Sequence, residues 1–95
     1  MVQLHPRPHM YFAYVLENLK GSRYTGSTDD MEDRLKMHND TTPEKSRFHR
    51  TTYKKGPWQI IFSKEFTTRI EAMKFEKFLK TGKGREWLER GRLGD

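Results

Sequence analysis

The first apolar segment of the chain covers residues 11–16, where aromatic and aliphatic side chains follow one another without a polar interruption. This composition is typical of a buried β-strand. Residues 20–22 then supply turn-forming side chains, and residues 23–26 form a second extended segment. The pattern predicts a β-hairpin in which Tyr14 and Tyr24 lie on neighbouring strands.

A helix is predicted directly after this hairpin. Thr28 is a candidate N-cap, and Asp29 and Asp30 place negative charge in the first turn, where it suits the helix dipole. We expect Gly26 to close the strand just before this cap. The helix should then run to about Asn39.

The sequence of the second half of the chain predicts a polar loop, a third strand and two further helices. The loop covers residues 40–57, and residues 58–62 read as a third strand. Residues 69–80 form a helix capped by Thr67 or Thr68 and ended by Thr81 and Gly82. Residues 85–90 form a short basic helix anchored by Trp87 and Leu88.

The resulting order, β-β-α-β-α-α, predicts an α+β fold with a small three-stranded antiparallel or mixed sheet flanked by about three α-helices. A chain of 95 residues is the size of one domain. We place that domain at residues 10–92. Residues 5–9 alternate proline with histidine and arginine, and we predict that residues 1–9 form a flexible N-terminal tail.

The net charge of +6 favours an anionic partner, and nucleic acid is the commonest partner of a small basic domain. The chain has no cysteine, which excludes disulfides and thiolate metal sites and suits a reducing cytoplasm. It has no apolar run of membrane-spanning length and no hydrophobic signal core, so we expect no membrane association and a cytoplasmic location.

The most basic segment lies at residues 45–55, which contain no acidic residue and interleave cations with Phe48, His49 and Tyr53. Cations and aromatic rings in alternation suit contacts with phosphates and bases. The candidate nucleic-acid-binding residues in this segment are Lys45, Arg47, Arg50, Lys54 and Lys55.

Glu76 lies inside the apolar arc of its predicted helix, between Ala72, Met73 and Leu79. An unpaired buried carboxylate would be costly, so this position requires a cation, a metal ion or the edge of the apolar face. Lys80 lies four residues further on and can form an ion pair with it. A metal site and an ion-paired surface stripe are both open at this point.

Arg34 and His38 are four residues apart on one helix, so they can approach one phosphate together. They could equally be solvated residues of a charged helix. The two tyrosines likewise have a packing alternative, since a tyrosine in an apolar strand is often part of the core.

Taken together, these segments resemble the GIY-YIG nuclease family, and in particular its small stand-alone bacterial members. Phe12-Ala13-Tyr14 is similar to the first family signature and Tyr24-Thr25-Gly26 to the second. Residues 27–39, 55–58 and 71–77 are similar to later segments, in the same order. Two departures are the phenylalanine and alanine of the first signature and the lack of an asparagine in the C-terminal helix.

The resemblance implies a role for each candidate residue. Glu76 would hold a divalent metal ion, Arg34 would bind the scissile phosphate, and Tyr24 would activate or orient the attacking water. Tyr14 and His38 would support proton transfer and positioning. In place of the missing asparagine, Lys83 and Arg85 would contact phosphate.

The function that the resemblance implies is a metal-dependent endonuclease that uses Mg²⁺ or Mn²⁺ to hydrolyse phosphodiester bonds in DNA. RNA is not excluded, because phosphate contacts do not distinguish the two. We expect selectivity for DNA structure rather than sequence, a role in repair or recombination, and selectivity supplied in part by a protein partner. The alternatives are a non-catalytic nucleic-acid-binding module with the same fold and a small protein that binds an acidic protein partner.

Overall fold

The chain forms a three-stranded sheet with three α-helices around it. The computed structural model describes residues 9–92, apart from the side chains of Arg47, Phe48 and Arg92. The elements are β1 (Tyr11–Glu17), β2 (Arg23–Thr28), α1 (Met31–Asn39), a 3₁₀-helix (Pro43–Phe48), β3 (Gln59–Phe66), α2 (Arg69–Leu79) and α3 (Gly82–Arg92). This order confirms the predicted α+β fold.

The sheet has the order β2-β1-β3, and both pairings are antiparallel. The first strand therefore occupies the centre, where each of its faces can be covered. This position explains why the strand is apolar at nearly every residue instead of alternating. Residues 13–16 are all buried.

Successive residues of β1 point to opposite faces of the sheet, so the strand feeds two separate cores. Ala13 and Val15 pack with Leu79 of α2 and Leu88 of α3. Tyr14 and Leu16 pack on the other side with Trp58. Tyr14 thus belongs to the core, although it carries a hydroxyl that needs a hydrogen-bond partner.

The predicted start of α1 is wrong by two residues. Thr28 is the last residue of β2 because it pairs with Phe12, and its Oγ1 accepts a hydrogen bond from the Asp30 backbone N–H at 3.1 Å. Asp30 is the N-cap instead, and its carboxylate accepts from the backbone N–H of Asp33 at 3.0 Å. Gly26 consequently lies inside the strand rather than at its end.

Other boundaries also differ from the prediction. β3 continues to Phe66 because its pairing with β1 extends to Tyr11, and the predicted loop at residues 40–57 contains the 3₁₀-helix. The start of α2 and its Thr68 cap are confirmed. The last helix begins at Gly82, three residues earlier than predicted.

Residues 1–8 of the predicted tail lie outside the described residues. His9, the last residue of that tail, has its Nε2 at 3.4 Å from an Asp29 carboxylate oxygen and its ring edge against Tyr11. Across residues 9–92, no helix combines the length and apolar character needed to cross a membrane.

The two C-terminal helices meet at Gly84, where there is no room for a side chain. A Cβ at this position would lie 2.6 Å from the Phe78 carbonyl carbon and 2.8 Å from the Leu79 Cα. At Gly82, a Cβ would have no atom within 4 Å. The absent side chain at Gly84 therefore allows α3 to turn back against α2 and place Leu88 in the core.

We expect Gly84→Ala to lower the free energy of unfolding by about 1–3 kcal/mol, because backbone atoms cannot yield as a flexible side chain can. Gly82→Ala, in the same helix, should be neutral or slightly stabilising, because alanine favours helix more than glycine does. Urea unfolding of both variants measures the difference. Equal stability of the two variants would contradict the packing described here.

Candidate active site

The buried hydroxyl of Tyr14 is satisfied by a chain of hydrogen bonds that leaves the sheet and crosses α1. Tyr14 Oη lies 2.8 Å from His38 Nε2, and His38 Nδ1 lies 2.7 Å from Thr52 Oγ1. The Thr52 hydroxyl in turn donates to the His49 carbonyl oxygen at 3.2 Å. We therefore assign the proton of His38 to Nδ1, so that Nε2 accepts from the Tyr14 hydroxyl.

Gly26 provides the space for the Tyr14 hydroxyl. It is the cross-strand partner of Tyr14, and a Cβ on it would lie 2.7 Å from Tyr14 Oη and 3.1 Å from the ring of Tyr24. Any side chain here would push the tyrosine away from His38. The glycine of the Tyr24-Thr25-Gly26 segment is thus required by a close approach between neighbouring strands.

The ionisation of His38 and Tyr14 is shifted in opposite directions. Burial, together with the positive charges of Arg34 and His49, lowers the pKa of His38 to about 4. Burial and the neighbouring Tyr24 raise the pKa of Tyr14 well above its ordinary value, with a smaller contribution from the Glu76 carboxylate and against the opposing effect of Arg34. Both groups are therefore neutral at pH 7, which suits a buried hydrogen-bonded pair.

A polar pocket of about 170 Å³ lies beside this chain. Tyr24 and His38 form part of its wall, with ring centroids 4.7 Å apart. Arg34 reaches the same pocket from one helical turn before His38, as their spacing predicts. The remaining lining residues are Met37, His49, Arg50, Thr51 and Thr52.

Glu76 lies on α2 with 19% of its side chain exposed, and its carboxylate accepts a 2.7 Å hydrogen bond from Lys80 Nζ. The ion pair considered for this glutamate is therefore present. Arg69, seven residues before Glu76 on the same helix, approaches Asp29 at 3.9 Å and lies over the ring of Tyr11. The Glu76 carboxylate still acts on Tyr14, because its negative charge contributes to the raised pKa of that tyrosine.

The donor set at Glu76 fits a hard divalent cation. A hydrated Mg²⁺ or Mn²⁺ needs only one or two protein carboxylates when phosphate oxygens and water complete its shell. Glu76 offers one partly exposed carboxylate. In the part of the chain that the structure describes, there is no group of three or more His, Cys, Asp or Glu side chains that could hold a metal ion.

Of the six predicted nucleic-acid-binding residues whose side chains the structure describes, only Arg50 reaches the pocket. Arg50 lines it, whereas Lys45 is exposed and lies 3.7 Å from an Asp40 carboxylate oxygen. The others lie elsewhere: Lys54 and Lys55 near the β1–β2 turn, Lys83 and Arg85 on α3, and Arg47 in the 3₁₀-helix with its side chain outside the described residues.

Sequence reasoning missed two residues of the site. Thr52 is 1% exposed and completes the hydrogen-bond chain from Tyr14. His49 is 5% exposed, donates through Nε2 to the Asp40 carbonyl at 2.8 Å, and lines the pocket. Both lie in a segment without helical or strand periodicity, so only their burial reveals them.

Fold and pocket together define a small α+β domain with a candidate catalytic site on its central strand. The sequence model of the GIY-YIG catalytic domain matches residues 10–89. This chain therefore belongs to the GIY-YIG family, as the resemblance predicts, and nuclease chemistry is what that membership indicates.

Relatives in bacteria support the same family. The chain is 33% identical over 70 residues to a UPF0213 protein of Oceanobacillus iheyensis, covering 74% of this chain and 76% of the relative. It is 37% identical over 75 residues to a UPF0213 protein of Streptococcus pneumoniae, covering 79% and 71%. The solution NMR structure of a UPF0213 protein from Bacillus halodurans aligns with a TM-score of 0.51 and 29% identity, over 90% of this chain and 87% of that one.

We expect the His38 ring signals to remain unchanged from about pH 8 to pH 5.5 and to titrate near the pKa of about 4. Its folded pKa lies below the ordinary value of 6.5, so the unfolded chain takes up a proton first as pH falls. Stability from this group is present above about pH 6.5 and is lost toward pH 4.

NMR titration of the imidazole signals measures the pKa, and denaturant unfolding measures the stability. From about pH 7 to pH 4, the wild type should lose about 3 kcal/mol more stability than His38→Gln, which does not titrate there. A wild-type titration midpoint near 6.5 would contradict the buried, neutral histidine.

Proposed function

We propose that this protein is a metal-dependent endonuclease that hydrolyses phosphodiester bonds in DNA. The observation that carries the proposal is the buried chain from Tyr14 through His38 to Thr52, which fixes one wall of a pocket that also contains Arg34 and Tyr24. A stable core does not need such a chain, since an apolar residue at position 14 would pack without any polar partner. A rigid polar wall beside a fixed cation suits the binding of a phosphate.

Arg34 is the phosphate-binding residue in this proposal. Its guanidinium is permanently charged and can donate two parallel hydrogen bonds to phosphate oxygens. It is half-buried at the pocket, and its charge is felt by both Tyr14 and His38. A fixed cation at this place stabilises the negative charge that develops on the phosphorus oxygens during hydrolysis.

Tyr24 is the residue that contacts the attacking water. It lines the pocket, whereas Tyr14 is 2% exposed and already donates a hydrogen bond to His38. A phenol is a weak base at neutral pH, so Tyr24 orients the water rather than deprotonating it alone. Tyr14, His38 and Thr52 act as positioning residues, because Tyr14 and Thr52 hold the His38 ring beside that of Tyr24.

Glu76 is the residue that would hold the divalent ion. When bound, Mg²⁺ or Mn²⁺ would supply Lewis-acid stabilisation of the phosphate and leaving-group charge. The glutamate contributes one hard oxygen ligand at the edge of the cluster and keeps its side chain in place through the helix that packs on β1.

The substrate is proposed to be branched or flapped DNA, as it occurs in repair and recombination. A single small domain with one pocket contacts a short stretch of backbone, and phosphate contacts position a protein without reading bases. Sequence preference should therefore be slight. A protein partner would add further selectivity.

We expect Arg34→Ala to slow cleavage by about 100- to 1,000-fold, because it removes a group that stabilises charge in the transition state. Lys36→Ala is the matched control: it removes one positive charge from the same helix, at an exposed position paired with Glu32. The assay uses supercoiled plasmid and branched oligonucleotides in Mg²⁺, Mn²⁺ or chelator, with Glu76→Gln run alongside to exclude contaminating nuclease.

Cleavage that requires metal and is lost in Arg34→Ala and Glu76→Gln, but not in Lys36→Ala, supports the proposal. Unchanged cleavage in the first two variants would sink it. Salt-dependent DNA binding without cleavage in any metal would favour the non-catalytic binding module instead.

Arg50 and Lys45 should contribute unequally to DNA binding, although both belong to the basic segment. Arg50 lines the pocket, whereas Lys45 lies beside the Asp40 carboxylate. Arg50→Ala should weaken binding and reduce the slope of log affinity against log salt by about 1. Lys45→Ala should have a smaller effect, and fluorescence anisotropy over a salt series measures both. Equal losses would mean that the pocket does not define the DNA path.

A further inference from the structure

The proposed metal ligand already has a cation at its carboxylate. Lys80 Nζ donates to Glu76 Oε2 at 2.7 Å, and 53% of the lysine side chain is exposed against 19% for the glutamate. The ammonium therefore lies on the accessible side of the pair, where solvent and any approaching ion would also arrive.

Helix geometry returns Lys80 to this position without a tertiary partner. The two residues are four apart, with the glutamate nearer the N-terminus, which is the favourable order for such a pair. Lys80 is also the C-cap of α2, where a positive charge suits the helix dipole. The contact is thus formed by local structure alone and needs no substrate.

The Lys80–Glu76 ion pair is strong enough to lower the affinity of Glu76 for a metal ion and weak enough for a metal ion to displace the lysine. An exposed ion pair of this kind changes an equilibrium by roughly two- to five-fold. A divalent ion has twice the charge of an ammonium and binds carboxylate oxygen directly, so it can displace the lysine. The lysine, with four methylene groups, can swing away while Glu76 stays in place.

The charge of Glu76 also matters to its neighbours. Burial is the main reason that the pKa of Tyr14 is raised, and the Glu76 carboxylate adds to it. A substrate phosphate would bring further negative charge to the same place. A counter-ion at Glu76 before metal arrives would reduce this repulsion.

We propose that the Lys80 ammonium is the resident counter-ion of Glu76 and occupies its cation-binding side until a divalent metal ion displaces it. This inference rests on the proposed function, in which Glu76 holds the metal. It assigns Lys80 a role in setting the metal concentration at which the site fills. Lys80 is thus a regulatory residue of the site and not a catalytic one.

The test is a titration of the full chain with Mn²⁺ in the absence of DNA. The electron paramagnetic resonance signal measures the concentration of free Mn²⁺ at each step. Wild type is compared with Lys80→Gln, Lys80→Arg, Lys77→Gln, Glu76→Gln and the double variant of Glu76→Gln with Lys80→Gln. Lys77 is the matched control, because it is exposed, lies one residue from Glu76 and carries the same charge. Circular dichroism checks that each variant is folded.

We expect Lys80→Gln to tighten Mn²⁺ binding by about two- to ten-fold. Lys80→Arg should restore the wild-type affinity, and Lys77→Gln should change it less, because its charge does not contact the carboxylate. Both proteins that carry Glu76→Gln should lose this binding.

Two results would overturn the inference, and they differ in what they say about the function. If Lys80→Gln and Lys77→Gln have equal effects while Glu76→Gln abolishes binding, the metal site stands and Lys80 is not its counter-ion. If neither the wild type nor Lys80→Gln shows binding that depends on Glu76, the metal assignment in the proposed function fails together with the inference.

Discussion

The 2.8 Å hydrogen bond between Tyr14 Oη and His38 Nε2 is the interaction on which the site depends. It arises from the topology, because β1 is the central strand and has both faces covered. A tyrosine on this strand is inside the core, and its hydroxyl must find a partner there. Only a residue from the element packed above the sheet can supply one.

The need of the Tyr14 hydroxyl for a hydrogen-bond partner also positions the other residues of the site. The hydrogen bond from Tyr14 turns the His38 face of α1 toward the sheet, and Arg34, one turn earlier on that face, reaches the pocket. The second ring nitrogen then needs its own partner, which draws Thr52 and the segment around it against the helix. The backbone of this segment is fixed further by Trp58 Nε1, which donates to the Thr52 carbonyl at 3.0 Å.

The parts of this arrangement that depend on local sequence could be predicted, and the parts that depend on distant contacts could not. The hairpin and the shared face of Arg34 and His38 follow from composition and helical spacing. Thr52 lies 14 residues from His38 in an aperiodic segment, so no sequence pattern predicts their hydrogen bond. The predicted start of α1 was wrong for a related reason. Cross-strand pairing, and not the capping preference of Thr28, decides where β2 ends.

Burial divides the charged and polar groups of the site into two kinds. Tyr14, His38 and Thr52 are buried and neutral, and they are joined by a chain of hydrogen bonds that ends at the His49 carbonyl oxygen. Neutrality is what permits this, because a charge at any of the three would lack solvation. The permanent charges of Arg34 and Glu76 lie where solvent still reaches them.

This separation gives each half of the site a property that the other could not have. The side chains of the buried half have almost no solvent-exposed surface, so protein contacts set its geometry. The charged half remains open to solvent, and in the proposed function Arg34 binds phosphate there while a divalent cation replaces Lys80 at Glu76. Glu76 shows the consequence most directly: a carboxylate buried as deeply as Tyr14 would retain its first partner, whereas at the edge of the core it can release Lys80.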